Sequence, residues 1–180
     1  MILQPGTAES ETEADEKDRR RTDFDPARIM LHPGSGSRRK NWPLDSFLTL
    51  KELLSVHGFK AEFLLGPAEA HWPANGLTPV TRPENLVSLT ETLKSCGAFI
   101  GNDSGATHLA AFIGVPTVAI FGPSDPVRWG PRGRSACVMR SDEKCPPCFE
   151  SSGQACPSLD CLERISPDTV VNTLIQRLRS

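Results

Sequence analysis

Residues 98–121, AFIGNDSGATHLAAFIGVPTVAIF, decide the fold. An apolar run, Ala98 to Gly101, stops at the polar trio Asn102-Asp103-Ser104. Small residues follow at helical length to Ile113, and Gly114 and Pro116 end them. A second apolar run, Thr117 to Phe121, comes next. The order strand, loop, helix, strand, with so little chain between the strands, is that of a parallel crossover unit. Both runs are apolar throughout and do not alternate with polar residues, so both faces of their sheet are expected to be covered.

The same texture extends outward. Residues 27–32 read as a buried strand ended by Pro33-Gly34. Residues 44–57 carry apolar side chains at helical spacing, closed by Gly58. Residues 60–65 form a further strand. Ser88 and Glu91 have the spacing of a capping box opening a helix to about Cys96. Residues 136–140 read as another strand, and residues 145–161 as rich in loops. Ser166-Pro167-Asp168 opens a last helix to about Leu178, with proline at its first position. The expected fold class is therefore α/β, a Rossmann-like, doubly wound parallel sheet. Such sheets bind ligands beyond the carboxyl ends of their strands.

Composition narrows the function. The net charge is −2 over 180 residues, with eight acids and four bases in residues 1–25. That stretch has too little apolar content to offset its ordering entropy, and it is expected to be a disordered leader or linker. The rest, residues 26–180, is close to neutral, which argues against nucleic acid as a partner. No apolar run is long enough to span a bilayer, and the first residues lack the form of a secretory signal. A cytoplasmic location is expected. Cys145, Cys148, Cys156 and Cys161 give C-x2-C-x7-C-x4-C. The first pair has metal-ligand spacing and the second fits structural zinc less well, so metal, thiols and disulfide all stay open. Cys96 and Cys137 read as core residues, the first on a helix and the second on a strand.

Two loops at strand ends carry chemistry. The first, residues 32–43, reads His-Pro-Gly-Ser-Gly-Ser-Arg-Arg-Lys-Asn-Trp-Pro. Gly34 and Gly36 allow close backbone approach, Ser35 and Ser37 add hydroxyls, and Lys40 supplies a movable charge. Arg38 and Arg39 raise the local potential. A diphosphate would be served here, although a solvated basic turn has the same composition. The second loop opens the helix at Ser104 and Gly105, where unpaired backbone N–H groups form an anion site. Asp103 either caps that helix or accepts hydrogen bonds from sugar hydroxyls. His108 lies one turn beyond Ser104 and on the same face.

These paired segments, His-Pro-Gly-Ser…Lys-x-Trp-Pro and Gly-Asn-Asp-Ser-Gly-x-x-His-Leu-Ala-Ala-x-x-Gly-x-Pro, resemble glycosyltransferase family 9. That is the family of ADP-heptose:lipopolysaccharide heptosyltransferases. The run Val118 to Ser124 and the cysteine-containing tail are also similar, so the resemblance covers about residues 27–178. It implies the C-terminal, donor-binding half of a two-domain GT-B enzyme with inverting, metal-independent transfer and no cofactor. Carried over, Ser35, Gly36, Ser37 and Lys40 hold the phosphates, with Lys40 the catalytic candidate. Asp103, Ser104, Gly105 and His108 hold diphosphate and sugar, and Glu69 contacts the nucleoside ribose. The family's acceptor domain, which carries the catalytic base, is expected to be missing. The acceptor implied is the lipopolysaccharide inner core, met at the periphery of the inner membrane. A catalytically silent nucleotide-sugar module, or a family member with another nucleotide sugar, are the alternatives.

Overall fold

The computed structural model describes residues 24–70, 72, 76–141, 146–150 and 160–179. All but the last two residues of the charged leader lie outside them. Among the described residues, six strands form one parallel sheet: β1 (Asp25–His32), β2 (Lys60–Leu64), β3 (Val80–Thr81), β4 (Cys96–Asn102), β5 (Thr117–Ile120) and β6 (Ala136–Met139). Their spatial order is β3-β2-β1-β4-β5-β6, with every pair parallel. This is the 3-2-1-4-5-6 order of the dinucleotide-binding folds, in which the winding reverses between β1 and β4.

The helices are α1 (Leu44–Val56), α2 (Leu86–Lys94), α3 (Gly105–Phe112), α4 (Pro126–Trp129), α5 (Asp160–Glu163) and α6 (Pro167–Arg179). Side chains alternate across each strand, so β1 and β4 feed two cores. Ile29, Leu31, Ala98 and Ile100 face one way and pack with Phe47, Leu50 and Leu54 of α1 and Val170, Val171 and Leu174 of α6. Met30 and Phe99 face the other way and pack with Leu93 of α2 and Ala110 of α3. The continuous apolar character of the strands follows from this double coverage. None of the helices is long and apolar enough to cross a membrane among the described residues.

Local chemistry sets the helix ends. Gly58, at φ +83°, follows α1 in the left-handed conformation that glycine adopts without a Cβ penalty. Asn85 caps α2: its Oδ1 accepts from Ser88 N at 3.0 Å, while Ser88 Oγ accepts from Asn85 N at 3.2 Å. The box expected at Ser88 and Glu91 thus sits one turn too late, because Asn85 supplies the acceptor first. Cys96 begins β4 instead of ending the helix. Asp125 caps α4, accepting from Val127 N, and Pro126 takes the first position. Strand β3 and helices α4 and α5 were not expected. They are two to four residues long, too short for a periodic signal.

Candidate functional site

The register of β1 against β4 pairs His32 with Gly101, so the loops after these strands leave the sheet side by side. Asn102, fully buried, ties them together. Its Nδ2 donates to Pro33 O at 2.8 Å, and its Oδ1 accepts from Trp42 N at 3.0 Å. One amide therefore holds both ends of the first loop. Trp42 is 1% exposed, and its Nε1 donates to Ile165 O at 3.0 Å. Its ring meets Phe47 edge-on at 5.0 Å. Burial of this ring anchors the end of the loop to the core. Within the loop Ser35 Oγ lies 2.7 Å from Ser37 O and 2.5 Å from Asn41 Oδ1, and accepts from Ser37 N. These contacts lead into a short 3-10 turn, Arg38–Lys40.

On the second loop Ser104, and not Asp103, caps α3 and accepts from Thr107 N. The N–H groups of Gly105 and Ala106 belong to the first turn, which lacks intrahelical acceptors. Asp103 is released for other work. Its Oδ2 accepts from Lys40 Nζ at 3.2 Å and from Ser124 Oγ at 2.7 Å. Its Oδ1 faces His108 Nε2 at 3.6 Å, beyond hydrogen-bond length. The Lys40 and Asp103 side chains are 16% and 11% exposed, whereas His108 is 41% exposed. A carboxylate this buried is costly unless its charge is met, and Lys40 and Ser124 meet it. The Phe149 ring lies 5.3 Å from Lys40 Nζ and 5.4 Å from the Arg39 guanidinium. Pro123 O, accepting from the N–H groups of Cys148 and Phe149, holds that ring's backbone.

On the β2 side Glu69 is 4% exposed, with Oε2 accepting from Gly66 N at 2.8 Å. Its carboxylate fills the place of a side chain at position 34: a Cβ there would stand 1.9 Å from Glu69 Oε1. His32 is buried beside it with Nδ1 2.9 Å from Leu64 O. Burial pushes the His32 pKa below its ordinary value, against the opposing pull of that bond and of Glu69. The ring is therefore neutral, and since the carbonyl can only accept, Nδ1 carries the proton. His32, Gly66, Pro67, Asn85 and Leu86 help line a cleft of about 280 Å³.

A family profile described as Glycosyltransferase family 9 (heptosyltransferase) matches residues 3–157. The chain belongs to glycosyltransferase family 9. Lipopolysaccharide heptosyltransferase 1 of Pseudomonas aeruginosa is 27% identical over 168 residues, covering 83% of this chain and 47% of that protein. Lipooligosaccharide heptosyltransferase 2 of Campylobacter jejuni is 34% identical over 89 residues, covering 48% and 27%. Among solved structures, a family 9 glycosyltransferase from Veillonella parvula superposes with TM-score 0.69 at 26% identity, covering 93% of this chain and 51% of that one. E. coli heptosyltransferase WaaC with ADP shares the fold, with TM-score 0.65 at 20% identity over 87% of this chain and 44% of that one. The chain thus spans about half or less of the length of these relatives.

In this family 9 chain the structure brings Lys40, Asp103 and His108 together, next to Ser104 and Gly105 at the start of α3. Ser35 serves the shape of its own loop, while Gly36 is exposed with open space around it. Glu69 stands apart, bonded to its own loop. Three residues without an assigned role in the sequence reading matter here: Asn102, Phe149 and Ser124. Asn102 lies inside the second family 9 segment and Ser124 ends the run Val118 to Ser124, but nothing in spacing says whom they bond. Phe149 reaches Lys40 across 109 positions of chain. The four-cysteine cluster is only half within the described residues, since Cys145 and Cys156 fall outside them. Cys96 is buried in the core as expected, and Cys137 lies on β6, partly buried.

Proposed function

We propose that this chain is the donor-binding half of an inverting glycosyltransferase that takes a heptose from an ADP-activated donor and serves lipopolysaccharide core synthesis. The observation that carries the reading is the meeting of Lys40, Asp103 and the start of α3 at the winding reversal between β1 and β4. In such a sheet that is where a phosphate-bearing ligand sits. The names of the relatives support the sugar and the acceptor class. A cytoplasmic location, with the acceptor met at the inner membrane, belongs to the same reading.

The chemistry follows from the residues. As an acceptor hydroxyl gives its proton to a general base brought with the acceptor and attacks the anomeric carbon, the bond to the diphosphate breaks and its electron pair stays on the leaving phosphate. Lys40 and the first-turn N–H groups of α3 stabilise that growing charge, which is stronger in the transition state than in the bound donor. Asp103 would be repelled by phosphate, so its free Oδ1 and His108 serve the sugar hydroxyls. The 280 Å³ cleft lined by His32, Gly66, Pro67 and Asn85 falls just under the roughly 300–1,000 Å³ of sites for whole drug-sized ligands. It suits the nucleoside alone, with the phosphates on the neighbouring loops.

The test is a thermal-shift panel with ADP, UDP, GDP and CMP and their sugars. ADP at 100 times its Kd stabilises by about 2.7 kcal/mol, which raises Tm by roughly 5–11 °C for a chain of this size. A larger shift with UDP refutes the donor assignment and leaves the fold untouched.

A further inference from the structure

We infer that Ser124 is the positioning residue that keeps the Asp103 carboxylate aimed at the donor's sugar once the donor's diphosphate has drawn Lys40 away. The inference rests on the donor reading above. Ser124 follows β5 and is 2% exposed. It is too deep to touch a ligand, so its hydroxyl acts through Asp103.

The two oxygens of Asp103 have different duties. Oδ2 receives both protein donors, Ser124 Oγ at 2.7 Å and Lys40 Nζ at 3.2 Å. Oδ1 is left facing His108 across 3.6 Å. A sugar hydroxyl entering there can donate to Oδ1 and accept from the imidazole if the ring presents N–H. Lys40 is flexible and mobile in charge, and a diphosphate competes for it directly. Ser124 is neither: it is neutral, buried, and next to Pro123, whose carbonyl is held by two N–H groups at 2.9 and 3.0 Å. When Lys40 turns to phosphate, Ser124 is the donor that still fixes the carboxylate's rotation. Without it nothing fixes the carboxylate's rotation, and Oδ1 is no longer held toward the sugar.

The test is calorimetric titration of the full chain with ADP and with an ADP-heptose, for wild type, Ser124→Ala and Ser124→Thr. Ser124→Ala should leave ADP affinity within a factor of two and weaken ADP-heptose by roughly 10- to 150-fold, the scale of one hydrogen bond to a charged group. Ser124→Thr, which keeps the hydroxyl, should recover ADP-heptose to within about threefold of wild type, well inside that loss. Equal weakening of both ligands would mark a merely structural residue and overturn the proposal, as would no weakening of either. If wild type binds neither probe, the donor reading falls by itself. Positioning is then read without ligand, from the side-chain carboxyl carbon resonance of Asp103. Ser124→Ala should move it and Ser124→Thr restore it, and an unmoved resonance overturns the proposal.

Discussion

Replacing Lys40 by alanine tests the site most directly, and the structure sets the size of the effect. A lysine free in solution would gain about 1.5–3 kcal/mol from a charge-assisted bond to a diphosphate. Lys40 is not free: it lies 3.2 Å from Asp103 Oδ2, with both side chains mostly buried. Leaving that partner gives up about 0.5–1 kcal/mol, by the scale of measured ion pairs. The net gain is about 1–2 kcal/mol, so Lys40→Ala should weaken ADP binding by roughly 5- to 30-fold. Asp103→Asn releases the lysine and removes a repelling charge, and ADP should bind about three- to fivefold more tightly, by the same scale. In that background Lys40→Ala should cost more, up to the full 10- to 150-fold. Calorimetric titration of the four chains reads the cycle. Lys40→Ala within a factor of two of wild type would remove the lysine from the site. An equal loss in both backgrounds would show that Asp103 and phosphate do not compete for it. Lys40→Ala leaves a mostly buried carboxylate without its cation, a loss of up to about 3–5 kcal/mol for a buried pair, so binding is measured at a temperature where each chain is folded.

Three further outcomes follow from buried groups. Because burial holds the His32 pKa below 6.5, the unfolded chain takes up a proton that the folded chain refuses. Stability is then complete above 6.5 and is lost as pH falls from there toward the lower folded value, by up to about 1.4 kcal/mol per pH unit. His32→Gln should flatten the fall in urea midpoint between about pH 6.5 and 5, and an unchanged slope refutes the assignment. Burial also pushes the Cys96 thiol up to about 11, so iodoacetamide at mildly alkaline pH should leave it unlabelled in folded protein. Peptide mass spectrometry showing native labelling would contradict this. Gly34→Ala should lower Tm by roughly 2–12 °C through its clash with Glu69. Glu69→Ala in the same chain should recover at least part of that loss, whereas no recovery would place the strain elsewhere.

Much of this architecture is legible in particular residues. The apolar runs at 98–101 and 117–121, with a small-residue helix between them, can only bury themselves as covered parallel strands. The glycine at 58 and the Ser-Pro-Asp at 166–168 mark helix ends by local chemistry that needs no neighbour. The loops of residues 32–43 and 101–105 stand out through residue type and their place at strand ends. The short elements were not legible: β3 exists because Phe63 and Leu64 offer it a ladder, not because Val80 and Thr81 demand a strand. The start of α2 turned on which of two acceptors, Asn85 or Ser88, came first along the chain.

By itself, then, the sequence determined the alternation of strands and helices, the two polar loops at strand ends and the family, because these depend on local periodicity and residue type. Tertiary structure alone decided how the loops work. Asp103 could have capped its own helix; it is a shared acceptor instead because Ser104 takes the cap and because the reversal between β1 and β4 brings Lys40 across 63 positions of chain. Asn102 holds Pro33 and Trp42, Ser124 holds Asp103, and Phe149 covers Lys40, all through contacts between distant segments. A hydrogen bond requires two atoms within about 3 Å, and only the packed sheet brings such pairs within reach.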